Sequence, residues 1–184
     1  DFPTSGGSQP SLSGAQDAIV FKLNPGLNTL MWSRFLGGSG EDTGNSLQLS
    51  STGDVYVAGG TASFNMNFPT GFDLSYDGGV SDGYLARLNG NTGATIAGTY
   101  MGLNEYDQAY FVQCDIDDKV YVLGQTETAW AITPGCYGNP NSGQFIRKYS
   151  TDLMTIDWTT MIGAGTGSVE ISPTAFLISD CYDI

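Results

Sequence analysis

Two stretches of the sequence combine residue types that can bind phosphate or metal ions. The first is RFLGGSGEDTGNSLQ at residues 34–48, where four glycines and two acids stand between apolar flanks. A phosphate-binding loop presents several backbone N–H groups at the N-terminus of a helix, and no helix-forming segment follows this loop. We therefore interpret the stretch as a turn between strands, in which glycine permits a positive φ.

The second stretch is DIDDK at residues 115–119, which places Asp115, Asp117 and Asp118 within four residues. Carboxylate oxygens are preferred ligands of Ca²⁺, so these three aspartates are the candidate metal ligands of the chain. No EF-hand pattern is completed, and Asp-rich turns also form without metal because the side chain accepts hydrogen bonds from its own backbone. We predict no cofactor, with calcium at these aspartates as the alternative.

Histidine is absent, which excludes Ser-His-Asp and Cys-His catalysis and every metal site that needs an imidazole. The three cysteines are Cys114, Cys136 and Cys181, and their spacing contains no C-x-x-C pair for zinc or thiol redox chemistry. An odd number of cysteines allows one disulfide plus a thiol, or a bond to a partner outside the chain. The sequence predicts no catalytic constellation.

Composition limits the class of protein and its partners. Six Lys+Arg against nineteen Asp+Glu give a net charge of −13, which argues against nucleic acid and anionic lipid as partners. No apolar run reaches the roughly 18 residues of a membrane span, so we predict no membrane insertion; if the protein is exported, its signal lies upstream or has been removed. With 26 glycines among 184 residues and only 14% charged residues, the composition is typical of a turn-rich all-β protein.

The chain repeats itself. DAIVFKLN (17–24) recurs as DGYLARLN (82–89) and as GQFIRKYS (143–150), which defines units 1–66, 67–131 and a truncated 132–184. The offsets of about 65 and 61 residues align four sets of positions: Lys22, Arg87 and Lys148; Gly37, Gly102 and Gly163; Asp42 and Asp107; Tyr56, Tyr121 and Tyr182. We predict that the cations and acids form ion pairs between strands or sheets, because a buried cation must be matched, and that the tyrosines pack within the sheets.

Unit 2 predicts four short strands bounded by turn residues, at 82–89, 94–102, 110–116 and 119–126. Both faces of the first strand carry apolar side chains, with Tyr84, Ala86 and Leu88 on one face and Leu85 on the other. A sheet with one wet face would alternate more cleanly, so we expect each sheet to be sandwiched between neighbours. Repeats of this length with four antiparallel strands predict the blades of a β-propeller.

The repeat resembles a known family. The strand D-x-hydrophobic-V-x-K-L-N, the turn L-G-G-x-x-x-D, the strand G-D-x-Y-V-x-G-x-T and the following F-P-T are similar to the SBBP-type β-propeller repeat, over unit 1 and the start of unit 2. Unit 3 departs from this pattern, with GQFI, Ser168 and ITPG at the matching positions. The resemblance implies an exported or cell-surface protein with a seven-bladed or similar ring, of the kind that Bacteroidota send out by type IX secretion beside immunoglobulin-like domains. It assigns no catalytic residue.

The sequence therefore predicts an all-β fold, a propeller of four-stranded antiparallel blades of which about three repeats are visible, as a fragment of a larger ring. We expect a non-enzymatic extracellular module that acts as a scaffold or adhesion surface. Its expected partners are other domains of the same polypeptide, the secretion machinery, and cell-surface proteins or glycans. The alternatives are a glycan-acting enzyme that uses Glu41, Asp42 and Asp107, and a calcium-stabilised adhesin.

Overall fold

A computed structural model describes residues 2–6, 9–169 and 172–184, and its regular structure is entirely β within those ranges. Ten strands follow one another along the chain. They are β1 (Ala18–Leu23), β2 (Leu30–Leu36), β3 (Asp42–Leu49), β4 (Val55–Thr61), β5 (Asp82–Leu88), β6 (Thr95–Met101), β7 (Asp107–Cys114), β8 (Val120–Thr126), β9 (Gln144–Tyr149) and β10 (Ile156–Ile162). Within the same ranges no helix has the length and apolar character needed to cross a membrane.

The strands form three antiparallel sheets. Sheet 1 contains β1 and β2, sheet 2 has the order β3-β4-β5-β6, and sheet 3 has the order β7-β8-β9-β10. The prediction of four-stranded antiparallel sheets is confirmed, but the expectation that the four strands of one repeat form one sheet is wrong. Each four-stranded sheet takes two strands from one sequence unit and two from the next, so the unit boundaries at 66/67 and 131/132 fall inside sheets, between their second and third strands.

Sheet 2 has an apolar core on each of its faces. Leu85 belongs to the core shared with sheet 3, whereas Tyr84, Ala86 and Leu88 on the same strand belong to the core shared with sheet 1. All four side chains are fully buried. The prediction that sheets are sandwiched between neighbours is confirmed for this sheet, and the near-continuous apolar sequence of β5 follows from it.

The four strands predicted in unit 2 are all present, and their ends lie within two residues of the prediction except at the start of β7. β7 begins at Asp107, three residues earlier than predicted, because the backbone N–H of Asp107 donates to the carbonyl of Ser81 and its side chain is buried. The polar residues that begin this strand have the composition of a turn. Their burial between two sheets, which sequence alone does not show, makes them part of the strand.

The hairpin turn that follows β3 recurs after β7 and again near the C-terminus. In each turn the first N–H donates to a carbonyl four residues later, at Ser50–Asp54, Asp115–Lys119 and Ser179–Asp183. The fourth residue of each turn has a positive φ, and these residues are Gly53, Asp118 and Tyr182. This corrects the predicted register of Tyr182, which is half-exposed at the turn position, whereas Tyr56 and Tyr121 are buried within strands.

Candidate functional site

The first repeated cation joins sheet 1 to sheet 2. Lys22 Nζ on β1 donates to the carbonyl of Gly90, which lies in the β5–β6 turn, at 2.8 Å. The indole N–H of Trp32 on β2 donates to the same carbonyl at 3.1 Å. Two donors from one sheet therefore converge on one turn carbonyl of the next sheet.

The second cation repeats this arrangement between sheets 2 and 3. Arg87 Nη1 and the Tyr56 hydroxyl both donate to the carbonyl of Thr151 in the β9–β10 turn, at 3.1 and 2.7 Å. The guanidinium also pairs with Asp54 of its own sheet, with 2.7 Å between Nη2 and Oδ2. Gly90 and Thr151 are 61 residues apart and follow equivalent strands, so the contact repeats with the sequence.

The third cation, Lys148, pairs with Asp115 at 3.2 Å and lies over the rings of Tyr121 and Tyr182. Burial opposes ionisation of Asp115, yet hydrogen bonds from the backbone of Lys119 and from its other partners hold the pKa of this carboxyl below its usual value. Two of the three cations, Arg87 and Lys148, form ion pairs, but the pairing predicted for them is wrong. Their partners are Asp54 and Asp115, and not Asp42 or Asp107 as the registers suggested.

The candidate metal ligands each have a different protein partner. Asp115 accepts hydrogen bonds from its own turn and pairs with Lys148, and the Asp118 carboxylate accepts from the backbone and hydroxyl of Ser51. Asp117 accepts from the Tyr182 hydroxyl at 2.8 Å. Among the described residues no group of three or more acidic or cysteine side chains is arranged to hold a metal. Asp117 and Asp118 thus connect adjacent hairpin turns, whereas Asp115 pairs within its own sheet.

These turns border a polar cleft of about 240 Å³ between sheets 2 and 3 and the C-terminal segment. Its lining includes Ser50, Ser51, Asp115, Asp118 and Ile178. Ile178 is buried there, so the C-terminal segment packs beside the β7–β8 turn. At this cleft the repeated turns present hydroxyl and carboxylate groups to solvent.

The repeated glycines lie at the opposite end of the sheets, beside pairs of acids. A Cβ at Gly37 would stand 2.7 Å from Asp17 Oδ1 and 2.6 Å from Asp42 Oδ2. Both carboxylates are satisfied: Asp17 accepts from two backbone N–H groups and a glutamine, and Asp42 accepts from Gly38 N–H and the hydroxyls of Thr61 and Ser63. Gly37 is therefore required for close approach of the two acids.

The second pair is less well compensated. A Cβ at Gly102 would collide with Asp82 Oδ1 and stand 3.1 Å from Asp107 Oδ2. Each carboxylate is fully buried, accepts one backbone hydrogen bond, and has a second oxygen, Oδ1, without a partner. Burial, and then the neighbouring acids, raise the pKa of Asp82 to about 7, and burial also raises the pKa of Asp107. In the third copy Gly163 lies beside Ser142 and Gln144 instead of acids.

Sequence reasoning missed Arg34, which makes a further contact between sheets 1 and 2. Its side chain is fully buried on β2, and Nη1 donates to the carbonyl of Gly93 and the hydroxyl of Thr95 on sheet 2, at 2.9 and 2.7 Å. Burial lowers the pKa of Arg34 to about 10. The available signal was an arginine in the middle of the apolar segment LMWSRFL, without a repeated counterpart.

The residues proposed for glycan chemistry do not form an accessible pair. Asp42 and Asp107 are fully buried, so neither can contact a polysaccharide in this conformation, whereas Glu41 is exposed. The three cysteines are all free, so the disulfide that the sequence allowed does not form within this chain. Burial raises the pKa of Cys114 to about 12, which makes this thiol a poor nucleophile.

No protein-family model matches this chain, and no curated protein sequence matches it.

Proposed function

We propose that the chain is a non-enzymatic scaffold module of a β-propeller of the SBBP type, within a secreted or cell-surface protein. The observation that carries this proposal is the repeated contact between sheets, in which Lys22 and Arg87 each reach a turn carbonyl of the following sheet. Residues that recur for catalysis would converge on one cavity. These cations instead contact two different turns, in successive sheets.

The stacking of the sheets supports the propeller. A blade has a covered face on each side, and sheet 2 has an apolar core with each of its neighbours. The β-bulge between Gly44 and Ser46 recurs between Ala109 and Phe111, so the first strands of sheets 2 and 3 share the same irregularity. A constant relation between successive sheets is what a closed ring requires.

The surface chemistry supports an extracellular role. Net charge of −13 with few lysines and arginines suits a soluble surface that does not bind nucleic acid or anionic lipid. The proposed partners are other domains of the same polypeptide, the secretion machinery, and proteins or glycans of the cell surface. The polar cleft between hairpin turns is the proposed contact region for a glycan, because its lining offers hydroxyl and carboxylate groups.

A combined binding and hydrolysis assay tests the proposal. The chain is applied to an array of cell-surface polysaccharides, and the same polysaccharides are incubated with it and assayed for new reducing ends. We expect no release of reducing ends above that of a buffer control. Hydrolysis that Glu41→Gln abolishes and Asp152→Asn preserves would contradict a non-enzymatic role, because both acids are exposed but Asp152 lies in the β9–β10 turn, away from the acid pairs.

A further inference from the structure

Two buried carboxylates at the boundary of sheets 2 and 3 lack a partner for one oxygen each. They are Asp82 on β5 and Asp107 on β7, and we call them the Gly102 acid pair after the glycine that both approach. Both side chains are fully buried, and Oδ1 of each accepts no hydrogen bond. Among the described residues no lysine or arginine forms an ion pair with either carboxylate, and Arg147 on β9 donates to two hydroxyls instead. When ionised, the pair has no cation beside it, although a buried charge is costly unless it is matched.

The same position in the first repeat is filled by hydrogen-bond donors of the protein. Asp17 accepts at both of its oxygens, and Asp42 accepts from the hydroxyl of Thr61 among others. In the second repeat the hydroxyl of Thr126, 65 residues after Thr61, donates at 2.8 Å to the carbonyl two residues later. The Gly102 acid pair therefore keeps the two carboxylates of this position but lacks the donors that satisfy them in the first repeat.

The space beside Gly102 is suited to a metal ion. A Cβ on this glycine would collide with Asp82 Oδ1 and stand 3.1 Å from Asp107 Oδ2, so one point lies within 3.1 Å of both carboxylates. Calcium binds oxygen at about 2.3 to 2.6 Å, so small shifts of the side chains bring both carboxylates into its coordination sphere. One divalent ion also balances the two negative charges.

The chain around the pair is acidic and partly open to solvent. Residues 77–82 and 102–107 contain four acids and no lysine or arginine. Two of these acids, Asp77 and Glu105, are exposed in the loops that precede β5 and β7. These loops therefore attract a cation and offer it a route to the buried carboxylates.

We propose that the Gly102 acid pair binds one Ca²⁺ ion, with one oxygen from each carboxylate and the remaining ligands from water or backbone carbonyls. Calcium fits better than magnesium, because it accepts irregular coordination at longer distances. Only two charged ligands are present, so we expect a dissociation constant of about 0.1 to 1 mM, in the range of extracellular calcium modules. At this affinity the trace metal of ordinary buffers does not load the site. The inference goes beyond the scaffold role and concerns residues other than Asp115, Asp117 and Asp118.

A calcium titration of the full chain tests this site. The protein is passed over a chelating resin and titrated with CaCl₂ at pH 8 by calorimetry, and Tm is followed against NaCl of equal ionic strength. We expect one ion per chain and a rise in Tm of about 3 to 10 °C at 10 mM CaCl₂. Asp82→Asn should bind calcium at least about tenfold more weakly and lose the rise in Tm, because it removes one of the two charges. Asp107→Asn, which removes the other charge, should do the same.

The matched control is Asp118→Asn, because asparagine tolerates the positive φ of this position and the change removes one acid from the DIDDK turn. This variant should keep the calcium response of the parent chain. Circular dichroism verifies that each variant is folded.

Three results would overturn the proposal. They are no calcium response of the parent chain, an undiminished response of folded Asp82→Asn or Asp107→Asn, and a response that only Asp118→Asn removes. The first result would leave the pair as a site for a proton, and the last would assign calcium to the DIDDK turn. None of these outcomes depends on glycan binding or hydrolysis, so the test is separate from that of the scaffold function.

Discussion

Replacing Asp82 by asparagine should stabilise the protein at neutral pH. The carboxyl is fully buried with one oxygen unpartnered, and its pKa rises from the ordinary 3.8 to about 7 on folding. A folded pKa above the unfolded value means that the folded state binds more protons, so this group makes stability fall as pH rises from about 4 to 7. The loss amounts to about 4 kcal/mol across that interval.

Asp82→Asn removes this penalty because the amide is neutral at every pH. Its oxygen still accepts the N–H of Asp77, and its NH₂ group takes the place of the unpartnered Oδ1, beside Gly102. We expect a free energy of unfolding about 2 to 4 kcal/mol higher than the parent at pH 8, or roughly 5 to 15 °C in Tm, and near equality at pH 4. Urea unfolding at several pH values measures both quantities.

The matched control is Asp17→Asn, 65 residues earlier at the equivalent position beside Gly37. Both oxygens of Asp17 accept hydrogen bonds, so an amide NH₂ would face existing donors and cost about 1 to 3 kcal/mol. The two variants should therefore change stability in opposite directions at pH 8. A destabilised Asp82→Asn variant, or one that keeps the parent's slope between pH 4 and 7, would refute this reasoning.

Two further predictions concern the contacts between sheets, and a third concerns the calcium alternative. Arg87→Met should lower the free energy of unfolding in urea by about 2 kcal/mol, because Asp54 and the Thr151 carbonyl lose a donor. Lys119→Met, at the more exposed pair with Asp157, should cost less than about 1 kcal/mol. Tyr56→Phe should cost about 1 kcal/mol by the same measurement, through its hydroxyl bond to Thr151; no change would contradict the assigned contact. Adding EDTA should move Tm by less than about 1 °C, and a large decrease would favour the calcium alternative.

The repeat made much of the fold predictable from sequence. Alternating apolar side chains on both faces of β5 predicted a sheet covered on both sides, and the two cores of sheet 2 confirm it. The positions of Lys22 and Arg87 were recognisable as structural because they recur. Their acceptors were not, because Gly90 and Thr151 contribute backbone carbonyls, which carry no signal in the side-chain sequence.

The acid pairs show why other parts of the site could not be predicted from the sequence. Asp42 and Asp107 were recognised by their spacing, but Asp17 and Asp82 complete the pairs from a neighbouring sheet. Sequence spacing cannot show whether a carboxylate is satisfied, and the two pairs differ in that respect. Tyr182 was placed in the wrong register because unit 3 has a shorter offset in its first half than in its hairpin turn.

Hydrogen exchange on two leucine variants of one strand tests the stacking of sheets most directly. Leu85 and Leu88 both lie on β5 and are fully buried, but Leu85 faces sheet 3 and Leu88 faces sheet 1. Each change to alanine should cost about 2 to 5 kcal/mol of local packing. The stack predicts that Leu85→Ala accelerates exchange in β7 and β8, and that Leu88→Ala accelerates it in β1 and β2. Faster exchange in the same strands for both variants would contradict it.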